Sequence, residues 1–284
     1  MGLHNSGGHQ VSGASRACAS VCVVTHLFGA FLALFIFGGV ASAEPIIADL
    51  QPVLGVPDLL RDPNFYTLDE VNAAGGIIIG DKLFEYFTVT TTESVNAVAP
   101  GSAEIAIRPI QVLKSGSVLG GDYGMTFNGA WSAPAGQLAD STIEFHASIL
   151  PDYAAQGYAF KDNSLYITAY GVSNNTNAGA VSVSENLYAS HPSSGDPAFA
   201  NKFVYFKSDT DNQLLDEKDF APITDMWIVK DVVAYGGIGD EGAVHLSEFY
   251  QTFSQIPEPS TLVLLCVGGL GFAGYTLRRR HCSK

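Results

Sequence analysis

Residues 142–150 read Thr-Ile-Glu-Phe-His-Ala-Ser-Ile-Leu. Ile143, Phe145, Ala147 and Ile149 fall on one side of an extended chain, and Glu144, His146 and Ser148 fall on the other. Successive side chains of a strand point to opposite faces, so this alternation predicts a strand with one face in a core. The same reading works outward in both directions. It predicts strands over 76–79, 82–90, 104–113 and 124–128 before this stretch, and over 164–172, 180–188, 202–207, 226–235 and 244–253 after it. The separators are built from turn formers, such as Asn-Asn-Thr-Asn-Ala-Gly at 174–179 and His-Pro-Ser-Ser-Gly-Asp-Pro at 191–197. Short strands at regular turn spacing predict an all-β chain folded as a single β-sandwich of jelly-roll type. Pro109 lacks an N–H and restricts its strand to an edge or a bulge. Trp131 and Trp227 are expected in the core. One short helix precedes the strands: Thr67-x-x-Glu70 fits a capping box, Leu68 and Val71 give an apolar face, and Gly75 suits the left-handed turn that ends it.

The 284 residues include only 15% charged side chains, against roughly a quarter in an average soluble protein, and 47% hydrophobic ones. The formal net charge is −14. A chain this acidic lacks the clustered Lys and Arg that neutralise phosphates, which excludes a nucleic-acid partner. Its 11% aromatic content excludes a disordered chain.

The two ends are addresses rather than fold. Arg16 precedes an apolar run, Leu-Phe-Gly-Ala-Phe-Leu-Ala-Leu-Phe-Ile-Phe-Gly-Gly-Val at 27–40, followed by Ala41-Ser42-Ala43. This predicts a signal peptide over 1–43, with Ala41 and Ala43 as the small residues that signal peptidase accepts. At the other end the chain reads Pro257-Glu258-Pro259, then an apolar stretch over 261–277, then Arg278-Arg279-Arg280. Seventeen residues of helix at about 1.5 Å each just reach across a thin hydrocarbon layer, and the arginines orient the span by the positive-inside bias. The division is therefore signal peptide 1–43, β-sandwich 44–256 and sorting segment 257–284. The middle segment holds 27 acidic and nine basic residues, a net charge of −18. All four cysteines (Cys18, Cys22, Cys266 and Cys282) lie in the end segments, so the sandwich is expected to be free of disulfides.

The tail resembles the PEP-CTERM sorting signal of Gram-negative bacteria, with Pro257, Glu258 and Pro259, an apolar span, and Arg278, Arg279 and Arg280 in the family's order. The resemblance implies processing by an exosortase, a membrane cysteine protease acting near the Pro-Glu-Pro. It further implies a passage through the inner membrane to the cell surface or exterior, often in bacteria that make exopolysaccharide. The phrases GDKLFEYF at 80–87, YGMTFNGAW at 123–131 and DMWIVKDVVAYG at 225–236 also resemble domains of other PEP-CTERM proteins, and imply a sandwich without assigning an activity.

Motifs of chemistry are scarce. The sequence shows no nucleophile elbow, zinc-protease helix, phosphate loop or dinucleotide fingerprint. His146, His191 and His245 carry no metal-ligand spacing. Asp209-x-Asp211 opens like a calcium loop, but Leu214 stands where the loop needs Gly and Phe220 where it needs Glu. No catalytic residue and no cofactor are assigned, with calcium at 208–219 as the one ion the composition admits. The expectation is a non-catalytic structural or adhesive surface protein. A carbohydrate-binding module is the alternative, and a polysaccharide-active enzyme stands behind both.

Overall fold

The computed structural model describes residues 43–113, 121–172, 179–238 and 242–257. Short strands come first: β1 (Ile46–Ile47), β2 (Gln51–Val53), β3 (Val56–Arg61) and β4 (Tyr66–Thr67), then helix α1 (Leu68–Ala73) and β5 (Ile77–Ile79). Long strands follow: β6 (Lys82–Glu93), β7 (Ala106–Val112), β8 (Asp122–Pro134) and β9 (Leu138–Ile149). A single helical turn α2 (Pro151–Ala154) leads to β10 (Tyr158–Val172) and β11 (Ala180–Tyr188). The remainder is β12 (Ala200–Ser208), β13 (Asp211–Gln213), β14 (Leu215–Ile223), β15 (Asp225–Tyr235) and β16 (Ala243–Pro257).

These strands form two sheets. The first runs β1-β5-β6-β9-β15-β11-β12-β13, and the second runs β14-β10-β16-β8-β7-β3-β2, with β4 also on β7. The chain runs out through β8, β9, β10 and β11 and returns through β12, β14, β15 and β16. Each returning strand pairs with an outgoing one: β11 with β12, β10 with β14, β9 with β15 and β8 with β16. The pairings of β10 with β16 and β11 with β15 then wrap this double ribbon into two sheets. That nested order is the one a jelly roll has.

The alternation predicted at 142–150 holds. Ile143, Phe145, Ala147 and Ile149 of β9 are buried between the sheets. Opposite them Phe127 and Phe249 stack with centroids 4.9 Å apart, and Phe84, Phe253 and Trp131 complete an aromatic interior. Trp131 is fully buried and donates from Nε1 to Ser141 Oγ at 3.0 Å, so its one polar atom is satisfied. Pro109 lies in the gap on β7 between the residues paired to β3 and those paired to β4. The capping box of α1 is present: Thr67 Oγ1 accepts from Glu70 N, and Glu70 Oε2 accepts from Thr67 N at 2.8 Å.

Three local differences have physical causes. The stretch 44–67, for which no strand is predicted, holds four short strands at the sheet margins. The acidic run 208–219, for which no strand is predicted, forms the β12–β13 hairpin and most of edge strand β14, whose side chains are mostly exposed and whose half-buried positions, Asp216, Phe220 and Ile223, follow no regular alternation. Trp227 belongs to an inward–outward strand in which Met226 and Ile228 take the core positions, so it stands on the outer face of the first sheet and not in the core. No helix among the described residues is long and apolar enough to cross a membrane. The predicted signal peptide and the predicted span at 261–277 lie outside the described residues, except for Ala43.

Candidate functional site

On the outer face of the first sheet, the register aligns one row of side chains across four strands. Glu85 of β6 pairs with His146 of β9, His146 pairs with Trp227 of β15, and Trp227 pairs with Tyr188 of β11. The imidazole of His146 is held between two carboxylates, with Nδ1 3.1 Å from Glu85 and Nε2 2.9 Å from Asp225. Its ring lies 5.0 Å from the Trp227 ring. His191, in the turn after β11, packs edge-on to Trp227 at 4.4 Å and reaches Glu144 through Nε2 at 3.1 Å.

Tyr86 reaches this row by breaking the alternation of its own strand. Phe84 points inward and Glu85 outward, so an unbroken strand would bury residue 86. Instead the pairing steps from Glu85↔His146 to Thr88↔Glu144, a bulge that sets two residues against one. Tyr86 takes φ 58°, a sparsely populated conformation for a residue with a side chain, and Phe87 takes the core position. The Tyr86 ring is 61% exposed and lies nearly parallel to Trp227, at 16° with centroids 6.1 Å apart.

The bulge is clamped from below. Asn72 of α1 accepts from Phe87 N at 2.9 Å through Oδ1 and donates to Phe87 O at 2.6 Å through Nδ2. Both backbone groups freed by the bulge are satisfied by one carboxamide. The capping box at Thr67 therefore has a consequence at a distance: it fixes the short helix that carries Asn72, which fixes the bulge that turns Tyr86 outward.

Chemically the site is a flat aromatic platform rimmed by Glu85, Glu144 and Asp225. The exposed Tyr86 ring beside the half-buried Trp227 ring offers an apolar surface to a flat ligand, and the carboxylates accept hydrogen bonds around it. Further along the same face, Asp140 is pushed up to about 6 by burial and by the neighbouring Asp231 carboxylate.

The other residues singled out from sequence are dispersed. His245 lies on the second sheet, where its ring covers Gly171 so closely that a Cβ there would meet Cε1 at 2.0 Å. It does not join His146 and His191. Asp209 sits in the turn of the β12–β13 hairpin. Asp211 accepts from the Tyr205 hydroxyl at 2.9 Å and lies 3.4 Å from Lys207. No group of three or more His, Cys, Asp or Glu among the described residues is placed to hold a metal ion. Ala43 is the first described residue, three residues ahead of β1. Pro257 is the last residue of β16, where it lies opposite Tyr158. Ala41, Glu258, Pro259, Arg278, Arg279 and Arg280 lie outside the described residues. Sequence reasoning missed Tyr86, because the bulge leaves no mark in the alternation, and it missed the exposure of Trp227.

Residues 255–280 match the family model of the PEP-CTERM protein-sorting motif. The match overlaps the end of β16, so the motif begins inside the folded sheet. No curated protein matches the chain. The motif marks an exported protein that is processed by an exosortase and sorted through the membrane to the cell surface.

Proposed function

We propose that this exosortase-sorted protein is a non-catalytic adhesive or matrix component whose sandwich grips polysaccharide through the Tyr86–Trp227 platform. The carrying observation is the platform itself. A strained, clamped bulge holds Tyr86 61% exposed beside a second parallel ring, a cost that interior packing does not require. The apolar C–H faces of sugar rings stack on such surfaces, and the rim carboxylates accept from sugar hydroxyls. The net charge of −18 over 44–256 disfavours an anionic polymer, so the ligand class is a neutral glycan. In this reading signal peptidase cuts after Ala43, the 261–277 span holds the precursor in the inner membrane with Arg278, Arg279 and Arg280 on the cytoplasmic side, and exosortase then acts near Pro257, Glu258 and Pro259. The processed protein reaches the surface or the exopolysaccharide around it.

The test is a titration of the purified full chain in detergent with neutral oligosaccharides, read by tryptophan fluorescence. Trp131 is buried, so the change reports Trp227. A saturable quench that Tyr86→Ala abolishes is the expected result. A panel of neutral glycans that leaves the emission unchanged overturns the glycan reading.

A further inference from the structure

Between the two sheets, where the sandwich pattern calls for apolar side chains, four polar ones meet. Glu185 of β11, Lys202 of β12 and Lys230 of β15 point inward from the first sheet, and Asn163 of β10 points inward from the second. None is more than 2% exposed. Glu185 Oε1 lies 2.5 Å from Lys202 Nζ and accepts from Asn163 Nδ2 at 2.8 Å. The other oxygen, Oε2, holds Lys230 Nζ, which also rests over the rings of Phe127 and Phe249 at 5.5 and 5.7 Å. The carbonyl oxygen of Asn163 has no hydrogen-bond partner among the described residues.

Charge balance makes this cluster unusual. Among the described residues Glu185 is the one carboxylate in contact with both amines, in an interior lined by aromatic rings, while Asp216 and Asp162 act on Lys202 from farther away. A second buried ammonium without a counter-charge in contact is disfavoured, which favours the neutral form of one amine. Burial drives both lysines below their ordinary range, Lys230 to about 8. A neutral buried amine carries a free lone pair and is a nucleophile. The electrophile beside it is the Asn163 carboxamide, and the carboxylate oxygen that touches the amine also touches the amide nitrogen.

We infer that Lys202 and Asn163 join in an intramolecular isopeptide bond, with Glu185 as the proton shuttle. Lys202 Nζ attacks Asn163 Cγ, and the new C–N bond forms as the carbonyl π pair moves to Oδ1. Glu185 Oε1 takes a proton from Nζ and delivers it to Nδ2. The carbonyl re-forms, the Cγ–Nδ2 bond breaks, and Nδ2 leaves as ammonia. The carboxylate is regenerated, and neither oxidant nor cofactor is needed. Lys202 is the nucleophile because it shares Oε1 with the leaving nitrogen, whereas Lys230 sits on the far oxygen and remains as the counter-ion. The product removes the imbalance: one carboxylate and one ammonium remain. The bond ties β12 of the first sheet to β10 of the second. It supplies a covalent staple to an exported domain whose sequence over 44–256 holds no cysteine. Lys82 is an internal contrast. It too is buried, against Asp81 and the Gln255 amide, but the second oxygen of Asp81 is unpartnered, so that carboxylate touches the amine and not the amide.

Mass spectrometry of the denatured full chain, purified in detergent after expression with its own leader, tests the bond. The expected result is a branched peptide joining the segments that contain residues 163 and 202, lighter than their sum by one ammonia. Glu185→Gln and Lys202→Arg are expected to abolish it. Because Glu185→Gln is also expected to destabilise the sandwich, Asn163→Asp is the second arm: the same linkage should form with loss of one water instead. Separate, unmodified peptides carrying Lys202 and Asn163 from the wild-type chain overturn the proposal. A branch through Lys230 overturns the assignment of the nucleophile.

Discussion

The two faces of the first sheet are inverted three residues apart along the same two strands. On β15, Trp227 faces out while Lys230 faces in. On β11, Tyr188 faces out while Glu185 faces in. Elsewhere the same strands follow the ordinary rule, with Val181, Val183, Ile228 and Val232 inside. The inversion is local and it is double: charge stands where apolar atoms belong, and aromatic surface stands where polar atoms belong. Departures from the binary pattern are costly on both faces, and natural sequences keep them where a task requires them. The difference between the faces lies in what each feature demands of the fold. The inner cluster is satisfied only if Glu185 stays anionic among its neighbours, whereas the outer platform needs only a bulge held in place.

The largest expected effect comes from the inner face. Burial alone would raise the Glu185 pKa, but the Lys202 and Lys230 side chains on either side override it and hold it at about 2. Glu185→Gln leaves buried cationic charge without a partner, which costs about 3–5 kcal/mol for a buried pair broken on one side. Chemical denaturation of the full chain in detergent at pH 7 measures it. The pH dependence has a definite sign. A carboxylate with a depressed folded pKa contributes stability above about 4.5 that is lost as pH falls toward about 2. The charge-dependent part of the gap between wild type and variant should close across that window, leaving the part due to the lost Lys202–Asn163 bond, and a gap wholly independent of pH would remove the buried charge as a contributor. Lys230 works at the other end. Its folded pKa near 8 lies below the ordinary lysine value, so the unfolded chain binds more protons and stability rises with pH between about 8 and 10.5.

A smaller loss tests the support of the outer face. Asn72→Ala strips both hydrogen bonds from the backbone of Phe87. Leaving such buried groups unsatisfied costs about 1–3 kcal/mol. Unlike Glu185→Gln, this change should also disturb the ligand surface, because Tyr86 is turned outward only while the bulge holds. Loss of the glycan-induced fluorescence change together with the stability loss links helix to platform. A stability loss with the quench intact would separate them.

The jelly roll was legible from residues such as Ile143, Phe145, Ala147 and Ile149, because burial on one face of a strand writes itself as alternation. The capping box was legible because Thr67 and Glu70 interact within one turn. Strand β14 was not, because most of its side chains are exposed and its half-buried positions, Asp216, Phe220 and Ile223, are irregularly spaced. The platform was half legible: Trp227 was visible as a residue, but its side of the sheet follows from Met226 and Ile228 taking the core positions. The inner cluster was written in the sequence and overlooked. Glu185 sits in phase with Val181, Val183 and Leu187, and Lys230 in phase with Ile228 and Val232, so charge at inward parity was the signal. Its partner Asn163 comes from the other sheet, and no local pattern reveals a contact made only by the wrapping of the chain. The sorting tail was legible for a different reason, since the exosortase that processes it reads it as linear sequence.

A third effect, smaller again, concerns the outer face beyond the platform. Asp140, raised to about 6 beside Asp231, favours its protonated form in the fold. Its contribution is therefore full below about 3.8 and lost as pH rises through about 6. Asp140→Asn should raise the melting temperature by roughly 2–4 °C at pH 8, the shift that about 1 kcal/mol gives a domain of this size, and leave it unchanged at pH 4. An equal rise at both pH values would remove the carboxylate pair as the cause.

The smallest stability effect is expected where the functional effect is greatest. Trp227 is half-buried on the outer face of the sheet, away from the core. Substitution at such a position shifts stability by about 0.5 kcal/mol or less. Trp227→Ala should therefore leave the denaturation midpoint nearly unchanged while it removes one ring of the platform and its stacking with Tyr86, His146 and His191. Because it also removes the fluorophore, binding in this variant is followed by retention on an immobilised neutral polysaccharide rather than by emission. Retention lost with the midpoint intact means the ring is kept for a ligand. A midpoint that falls as far as that of Asn72→Ala means Trp227 is a packing residue that the sheet places on its outer side, and the inversion of the two faces then has a functional reading only on the inside.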